Sequence, residues 1–276
     1  MLIRLHSRPP GGLGNRLFSY NFIRQVSYAC GIPYAHPWLK DSRHFKSMGL
    51  RMRLGWRGAE LVIDSEFLKS VSVHQFYDLL ASSGDKTFVL KPPFLGDTFF
   101  DYSLVAPSNF IRLRERFLTN PGWRRDHPVV IGVHFRGGDF FNWNPRAVLG
   151  ADYYVNAIRL ALRDAGARRA AIALFTDDTA LESYRTVRSE FSELCIDPSA
   201  GNKVVSAEIA DFHGLSVCDY LVSSPSTFCI WAGILGEGAK IIHSAEWMEL
   251  QGRENDKFWQ QLRAGGGRYY RVWEAA

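Results

Sequence analysis

Residues 129–139 read VVIGVHFRGGD, and this stretch decides the fold. Its first seven residues are almost all apolar, a pattern typical of a strand that is buried on both faces. A short polar segment with two glycines follows the strand at once. Strands of this kind occur in parallel sheets with helices on both faces, so the stretch predicts an α/β fold.

Beyond residue 139, helical and strand patterns alternate along the chain. The patterns predict strands at 170–175, 220–222 and 239–243, and helices at 153–165, from about 179, at 207–217 and opened by 223–227. This alternation indicates a parallel sheet flanked by helices. In such sheets a ligand lies outside the carboxyl ends of the strands.

The N-terminal half of the chain has a less regular pattern. A short strand at residues 2–5 leads through a glycine-rich loop into a helix at about 15–30. Residues 33–126 follow with a mixed pattern that is rich in aromatic side chains. The change of pattern after this segment predicts two domains, residues 1–126 and residues 127–276.

The composition is that of an ordinary globular protein: 276 residues, 46% of them hydrophobic and 22% charged. A net charge of +5 and a pI near 9.0 suit an anionic small molecule or an acidic membrane surface. The basic residues are scattered, so nucleic acid is not expected as a partner. No stretch approaches the ~20 apolar residues that a membrane span needs.

The four cysteines form no C-x-x-C pair; they are Cys30, Cys195, Cys218 and Cys229. We therefore expect reduced thiols and no zinc site. Reduced thiols favour a cytoplasmic location, with peripheral association with the inner face of a membrane as the alternative.

Polar side chains gather where three of the predicted strands end. They are, strand by strand, His134 with Arg136, Asp177 with Asp178, and Ser223, Ser224, Ser226 and Thr227. Because the carboxyl ends of parallel strands meet at one edge of a sheet, we expect these side chains to line a single crevice.

The segment from His134 to Asp139 suits the binding of a diphosphate. Alternation along the strand places His134 and Arg136 on one face, and a planar guanidinium binds two phosphate oxygens at once. Gly137 and Gly138 allow backbone to approach a ligand. Asp139 is either a general base or the partner that fixes Arg136. The alternative is a structural Arg–Asp pair on a loop, with His134 in the core.

Two further segments allow more than one interpretation. Asp177 and Asp178 could bind a metal ion, orient sugar hydroxyls or, for Asp178, cap the helix that follows. Ser226 and Thr227 open a helix whose free N–H groups could hold a phosphate, although Ser226 would also serve as an ordinary N-cap.

The glycine-rich loop at residues 11–14 matches neither common phosphate-binding pattern. Leu17 interrupts G-x-G-x-x-G, and no Gly-Lys-Ser/Thr follows. Its glycines could bring backbone close to a ligand. The alternative is a tight turn between strand and helix, with Asn15 as the N-cap.

Together these segments resemble the fucosyltransferase superfamily, and they are most similar to glycosyltransferase family 11, the α1,2-fucosyltransferases. The similarity rests on four motifs in the order of the family. They are Gly11 to Phe18 against G-G-L-G-N-Q-x-F, His134 to Phe140 against H-x-R-R-x-D-Y, Phe175 to Asp178 against F-S-D-D, and Asp211 to Trp231 against D…M-x-x-C…S-T-F-x-W-W.

The resemblance implies a GT-B-like architecture of two facing Rossmann-like domains, with a parallel sheet in the C-terminal half. Residues 1–126 would form the acceptor side, and residues 127–276 would bind a GDP-sugar. It also implies an inverting, metal-independent transfer of L-fucose from GDP-fucose to a sugar hydroxyl of a glycan, in this family the 2-hydroxyl of a galactoside. No cofactor is expected beyond the donor substrate.

The resemblance further implies roles for individual residues. Arg136 would neutralise the β-phosphate of the leaving GDP, with His134 beside it. Asp211 would bind the guanine, and the helix start at Ser226 and Thr227 would contact the diphosphate.

Acid–base and acceptor roles are expected for a second set of residues. Asn15 would face the sugar and the acceptor. Asp139 is the first candidate for the general base, and Asp177 is the second. Additional donor contacts are expected from Gly12, Gly14, Asp177 and Asp178.

The sequence departs from the family pattern at two positions. Gly137 replaces the second Arg of the donor motif, and Ala232 replaces the second Trp of the last motif. The departures leave open a transfer to a 6- or 3-hydroxyl or to an acceptor other than galactose, and Gly137 favours the alternative of a non-catalytic homologue that binds a glycan or nucleotide. Use of another GDP-sugar, such as GDP-mannose, is a further alternative. A Rossmann-type oxidoreductase is disfavoured because G-x-G-x-x-G is missing.

Overall fold

The computed structural model describes residues 2–5, 11–36, 45, 59–84, 86–91, 121–166, 170–198, 206–236, 240–244 and 270–273. The chain divides into two compact units, residues 1–114 with 256–261 and residues 115–255 with 262–276. The domain boundary that the sequence predicts, after residue 126, lies a little further along the chain. Each unit contains its own parallel sheet, which confirms the predicted α/β class.

In the described residues of the first unit there are four short strands and three helices. The strands are β1 (Leu2–Leu5), β2 (Tyr34–Ala35), β3 (Glu60–Ile63) and β4 (Thr87–Leu90), and the helices are α1 (Leu13–Cys30), α2 (Ser65–Ser70) and α3 (Val73–Ser82). All strand pairs are parallel, in the order β2-β1-β4-β3. Apolar side chains of α1 and α3 cover this sheet, with Phe22, Phe76 and Phe88 completely buried.

Helix α1 begins two residues earlier than the sequence predicts. Gly12 is its N-cap and Asn15 lies inside the first turn, so the expectation that Asn15 caps the helix is wrong. The helix ends at Cys30 as expected, because Gly31 takes the left-handed conformation at φ 64°. The backbone N–H of Gly31 donates to the carbonyl of Tyr28.

The second unit contains six strands and six helices among the described residues. The strands are β5 (Val129–Phe135), β6 (Ala170–Thr176), β7 (Cys195–Ile196), β8 (Tyr220–Val222), β9 (Lys240–Ser244) and β10 (Tyr270–Trp273). The helices are α4 (Gly122–Arg125), α5 (Phe140–Trp143), α6 (Ala151–Ala165), α7 (Glu182–Glu190), α8 (Ala207–Ser216) and α9 (Thr227–Leu235), and a single 3₁₀ turn spans Pro145–Ala147.

The order of these strands is that of a doubly wound nucleotide-binding sheet. It runs β10-β9-β8-β5-β6-β7, with every pair parallel. The chain starts at β5, moves outward through β6 to β7, and returns to the other side of β5 for β8. The reversal point therefore lies between β5 and β8, and at such a point the carboxyl ends of the strands form a ligand crevice.

The two faces of β5 are covered by different pairs of helices. Ile131, Val133 and Phe135 pack in the core beneath α6 and α7, where the Phe135 ring centroid lies 4.3 Å from that of Tyr154. The opposite face carries Gly132, where a β-carbon would lie 2.8 Å from the Cys218 sulfur that follows α8. His134 and Arg136 continue this second face toward the carboxyl edge of the sheet.

An arginine fastens α4 to the amino edge of the sheet. Arg124 Nη2 donates to both carboxylate oxygens of Asp219, at 2.9 and 3.0 Å. Its Nε donates to the Val217 carbonyl at 3.0 Å, and its Nη1 to the His127 carbonyl at 2.6 Å. Asp219 in turn accepts the Val130 N–H, so this group ties α4, the start of β5 and the start of β8 together.

The four cysteines are free thiols, and Cys218 and Cys229 are buried. Within the described ranges, no helix is both long enough and apolar enough to cross a bilayer.

Candidate active site

The reversal point between β5 and β8 brings two of the predicted motifs together. The two strands are paired with Val133 opposite Val222. Directly beyond them, the Ser224 N–H donates to the His134 carbonyl at 3.1 Å. The His134–Arg136 segment and the serines after β8 therefore lie at the same edge of the sheet, as the sequence predicts.

Arg136 is held at this edge by two carboxylates. Its Nη2 lies 2.7 Å from Asp139 Oδ1, and its Nη1 lies 2.8 Å from Asp177 Oδ2. The guanidinium carbon also lies 5.2 Å from the centre of the Phe140 ring. The third nitrogen, Nε, is buried and has no partner among the described residues. Since Nε is buried, a ligand that binds Arg136 would contact Nη1 or Nη2 and replace a carboxylate there.

Asp177 fixes the loop after β5 as well as Arg136. While its Oδ2 binds the guanidinium, its Oδ1 accepts the Gly137 N–H at 3.0 Å. Gly138 follows with φ at +35°, and a β-carbon there would lie 2.8 Å from Asp177 Oδ2. The loop can approach Asp177 this closely because residue 138 has no side chain. Asp177 therefore connects the ends of β5 and β6.

Leu181 occupies the space beside Gly137, where the family motif has its second Arg. A β-carbon on Gly137 would lie 2.7 and 3.0 Å from the two methyl carbons of Leu181, which is itself buried. A larger side chain at this position would require Leu181 to move. The space that the second Arg of the family motif would need is therefore filled by the apolar side chain of Leu181.

Asp178 closes a turn rather than capping a helix. Its Oδ1 accepts the Ala180 N–H at 2.8 Å, and its backbone N–H donates to Thr176 Oγ1 at 3.0 Å. Helix α7 begins at Glu182, later than the start near Thr179 that the sequence predicts. The expected capping role is wrong because the Asp178 side chain is used by the tight turn that precedes the helix.

His134 is a buried, neutral histidine. Its Nδ1 lies 2.7 Å from Ser224 Oγ, and its ring stacks on Phe228 with the centroids 5.5 Å apart. Burial lowers the pKa of His134 to about 3, and the nearby Arg136 charge acts in the same direction. The imidazole therefore carries no charge at neutral pH.

The first turn of α9 lies beside His134. Ser226 is the N-cap, and its Oγ accepts the Phe228 N–H at 3.3 Å. Thr227 is the first helical residue and is partly exposed. The interpretation of Ser226 as an N-cap is confirmed. The first-turn N–H groups of such a helix attract anions, so capping and phosphate binding are compatible.

Asp211 is a half-buried carboxylate with no partner among the described residues. It lies in the middle of α8, and its neighbour Phe212 packs edge-on against Phe228 of α9, with the centroids 5.2 Å apart. Burial raises the pKa of Asp211 to about 6. A carboxylate in this position gains free energy from a ligand that offers N–H donors.

Gly12, Gly14 and Asn15 belong to the first unit, and their roles remain predictions. Gly12 is exposed, whereas Gly14 is buried in the first turn of α1. Gly11 has φ at +83°, and a β-carbon there would lie 2.6 Å from Asn15 Nδ2. Arg16 Nη1 donates to the Gly11 carbonyl at 2.6 Å and holds this loop on the helix.

Two residues near the crevice were not predicted from the sequence. Tyr153 of α6 places its hydroxyl 2.8 Å from the Ser223 carbonyl and 3.1 Å from the Ile242 carbonyl, so it supports the carboxyl ends of β8 and β9. Phe140 supports the Arg136 guanidinium. An aromatic residue in a helical pattern carries no signal for either contact, since both depend on tertiary structure.

Metal ligands do not gather in the part of the chain that the structure describes. No group of three or more His, Cys, Asp or Glu side chains there could hold an ion. The expectation of metal-independent chemistry remains a prediction.

The chain is similar to a known family in sequence and to several solved structures in fold. Residues 117–258, slightly more than half of the chain, match the model of glycosyl transferase family 11. This range contains three of the four motifs. No curated protein sequence matches the chain.

Three solved structures illustrate the likeness in fold. The Bradyrhizobium α1,6-fucosyltransferase NodZ, soaked with GDP-fucose, is 16% identical, with 84% of this chain and 92% of that chain covered and a TM-score of 0.55. Arabidopsis thaliana FUT1 in complex with GDP is 12% identical, with 87% and 69% covered and a TM-score of 0.57. Heptosyltransferase II of E. coli is 11% identical, with 100% and 90% covered and a TM-score of 0.50. This likeness agrees with the expected GT-B-like fold class.

Proposed function

Since the chain belongs to glycosyl transferase family 11, we propose that it transfers L-fucose from GDP-fucose to a sugar hydroxyl of a glycan, with inversion at the anomeric carbon. The family assignment supports glycosyl transfer. The donor is suggested by NodZ, which was soaked with GDP-fucose, and by FUT1, which was crystallised with GDP. The acceptor position that we propose is the 2-hydroxyl of a galactoside, from the resemblance to α1,2-fucosyltransferases.

The position of Arg136 at the reversal point carries this proposal. Cleavage of the bond between fucose and GDP builds negative charge on the β-phosphate. Fixed donors that are aimed at this charge stabilise the transition state more than the ground state. Arg136, through the Nη2 that contacts Asp139, and the first turn of α9 would supply such donors at one edge of the sheet.

Asp139 is suited to leave Arg136 when the donor binds. Its side chain is 71% exposed, so its ion pair with Arg136 contributes little stability. A diphosphate carries more charge and offers two oxygens to the guanidinium, and it would displace Asp139. The released carboxylate could then accept the proton of the attacking hydroxyl. Asp177 would remain in place, because it is bonded to Gly137 as well.

Asp211 favours guanine among the nucleotide bases. Guanine presents two adjacent N–H donors, N1–H and N2–H, which match the two oxygens of one carboxylate. Adenine has a single donor group beside an acceptor on the same edge. The half-buried Asp211, which has no partner among the described residues, is therefore better suited to a GDP-sugar than to the ADP-heptose of heptosyltransferase II.

Asn15 would face the sugar and the acceptor in this proposal, and Gly12 and Gly14 would contact the donor. All three residues belong to the first unit, which contains residues 1–114 of the predicted domain 1–126. The role rests on the resemblance of Gly11 to Phe18 to the N-terminal motif of the family.

A transfer assay tests the proposal. Labelled GDP-fucose is incubated with oligosaccharides that end in galactose, N-acetylglucosamine or fucose, and GDP-mannose serves as the control donor. We expect a fucosylated product with a galactose-ended acceptor and the new bond at its 2-hydroxyl. Transfer from GDP-mannose but not from GDP-fucose would replace the donor. Absence of any product, with GDP still bound tightly, would favour a non-catalytic homologue.

A further inference from the structure

Ser224 is bonded to His134 at two points. Its backbone N–H donates to the His134 carbonyl at 3.1 Å, and its Oγ lies 2.7 Å from His134 Nδ1. Ser224 is completely buried, and His134 is 6% exposed. The Ser224 carbonyl accepts the Ser226 N–H and the Ser223 hydroxyl, so the backbone of this segment is fixed. The contact between hydroxyl and imidazole is therefore part of a rigid frame.

The donors and acceptors that Ser224 and His134 offer each other determine which imidazole nitrogen carries the proton. The Ser224 hydroxyl has one hydrogen, and its partner among the described residues is Nδ1. If Nδ1 carried the proton and donated it, the hydroxyl hydrogen would be buried without an acceptor, which is costly. If the hydroxyl donates instead, both groups are satisfied. Nδ1 is then the acceptor, and Nε2 carries the proton.

We propose that Ser224 is a positioning residue that holds His134 in the Nε2–H tautomer, so that this N–H donates to the diphosphate of the GDP-sugar. The inference rests on the proposed function and extends it. Nε2 has no hydrogen-bond partner among the described residues. It is also not among the fully buried atoms that lack a partner, so some of its surface is open. It is thus available to a ligand at the edge where Arg136 and the start of α9 lie.

The ring is held in the orientation that this role needs. His134 stacks on Phe228, and the Phe228 N–H is bonded to the Ser226 cap. The imidazole therefore lies against the first turn of α9, whose free N–H groups point toward the same edge. A neutral donor suits this place, because a second cation beside Arg136 would be repelled. No proton is transferred: the Nε2–H group donates a hydrogen bond to the phosphate oxygen as its charge develops.

Nitrogen NMR reads the tautomer directly and does not depend on catalysis. In the ¹⁵N-histidine-labelled protein, long-range ¹H–¹⁵N spectra distinguish a protonated ring nitrogen from an unprotonated one. We expect the Nε2–H tautomer for His134 and a shift of its Nε2 resonance when GDP is added. Ser224→Ala should give a mixture of tautomers. The matched control, Ser216→Ala, removes a buried hydroxyl that donates to the His213 carbonyl and takes no part in the Ser224–His134 frame, and it should leave the tautomer unchanged. An Nδ1–H tautomer in the wild-type protein would overturn the inference.

Kinetics of the same variants tests the consequence for transfer. Ser224→Ala should lower kcat by about tenfold, less than the ~10²–10³ that loss of a whole charge-stabilising donor costs, with little change in KM for GDP-fucose. Ser224→Thr retains the hydroxyl and should recover most of kcat; thermal melting establishes that each variant is folded. Equal kcat for Ser224→Ala and wild type would contradict the positioning role. If the wild-type protein does not transfer fucose while the Nε2–H tautomer is observed, the proposed function fails and the tautomer assignment stands.

Discussion

Two arginines, one at each edge of the second sheet, differ in how fully the described residues bond their guanidinium groups. Arg124, at the amino edge, uses all three of its nitrogens within the protein and is 18% exposed. Arg136, at the carboxyl edge, is 31% exposed, and its Nε has no partner among the described residues.

The carboxylate partners also differ in how firmly they are bonded to the two arginines. Asp219 binds Arg124 through both oxygens and also accepts a backbone N–H, so its contacts reinforce one another. Arg136 is bonded through single contacts to two separate carboxylates, and one of these is mostly exposed. A guanidinium that is bonded in this way can exchange a partner for a phosphate. We infer that Arg124 is structural and propose that Arg136 binds the ligand, and this contrast can be tested at both residues.

The largest effect is expected at Arg136. Replacement of Arg136 by Ala should lower the rate of fucose transfer by ~10²–10³, because a donor to the developing phosphate charge is lost. The free energy of unfolding should change by less than about 1 kcal/mol, since the ion pairs are partly exposed. Steady-state kinetics and thermal melting measure the two quantities. An Arg136→Ala enzyme with wild-type turnover would refute the assignment.

Arg124→Ala is the matched change at the other edge. It removes four hydrogen bonds and leaves the Val217 and His127 carbonyls without their donor. We expect the free energy of unfolding, measured with urea, to fall by about 1–3 kcal/mol, while kcat of the folded fraction stays close to that of the wild type. If this variant lost turnover and kept its stability, the contrast between the two arginines would be wrong.

Asp177 and Asp139 should differ in how they affect turnover. Asp177→Asn weakens the contact that positions Arg136, so we expect kcat to fall by about tenfold. Asp139→Asn removes the proposed general base, so we expect kcat to fall by about a hundredfold. Steady-state kinetics of each variant measures both effects. The assignment of the base would pass to Asp177 if Asp177→Asn lost more activity than Asp139→Asn.

The smallest effect is a dependence of GDP affinity on pH. Burial raises the pKa of Asp211 to about 6, and the guanine contact needs the ionised form. Affinity should therefore be full well above pH 6 and should fall as the pH drops through 6, by up to about tenfold per unit. Calorimetric titration with GDP from pH 5 to 8 measures this. Asp211→Asn should bind weakly, with no such dependence; a dependence that persisted in this variant would have to come from another group.

The strands of the second unit could be predicted from sequence because burial on both faces leaves a continuous apolar run. The predicted strand at 129–135 and the helix ending at 165 agree with β5 and α6. The gathering of His134 and Arg136 with the serines after β8 followed from the rule that parallel strands end at one edge.

Local polar contacts were less predictable. Asp178 is a residue type that often caps helices, but it closes a turn before α7, and Asn15 lies within the first turn of α1 instead of capping it. Side-chain preferences for caps and for tight turns overlap, so the sequence does not distinguish them. The bond between Ser224 and His134 depends on the pairing of β5 with β8, which no local pattern contains.

The most direct test of the account compares the affinities for GDP and GMP in the wild-type protein and in Arg136→Ala. The two ligands differ by the β-phosphate, which we assign to Arg136, whereas the guanine contact with Asp211 is common to both. We predict that the wild-type protein binds GDP at least tenfold more tightly than GMP, and that Arg136→Ala binds the two almost equally. A preference for GDP that is unchanged in Arg136→Ala would show that the diphosphate is bound elsewhere, and it would contradict the central claim.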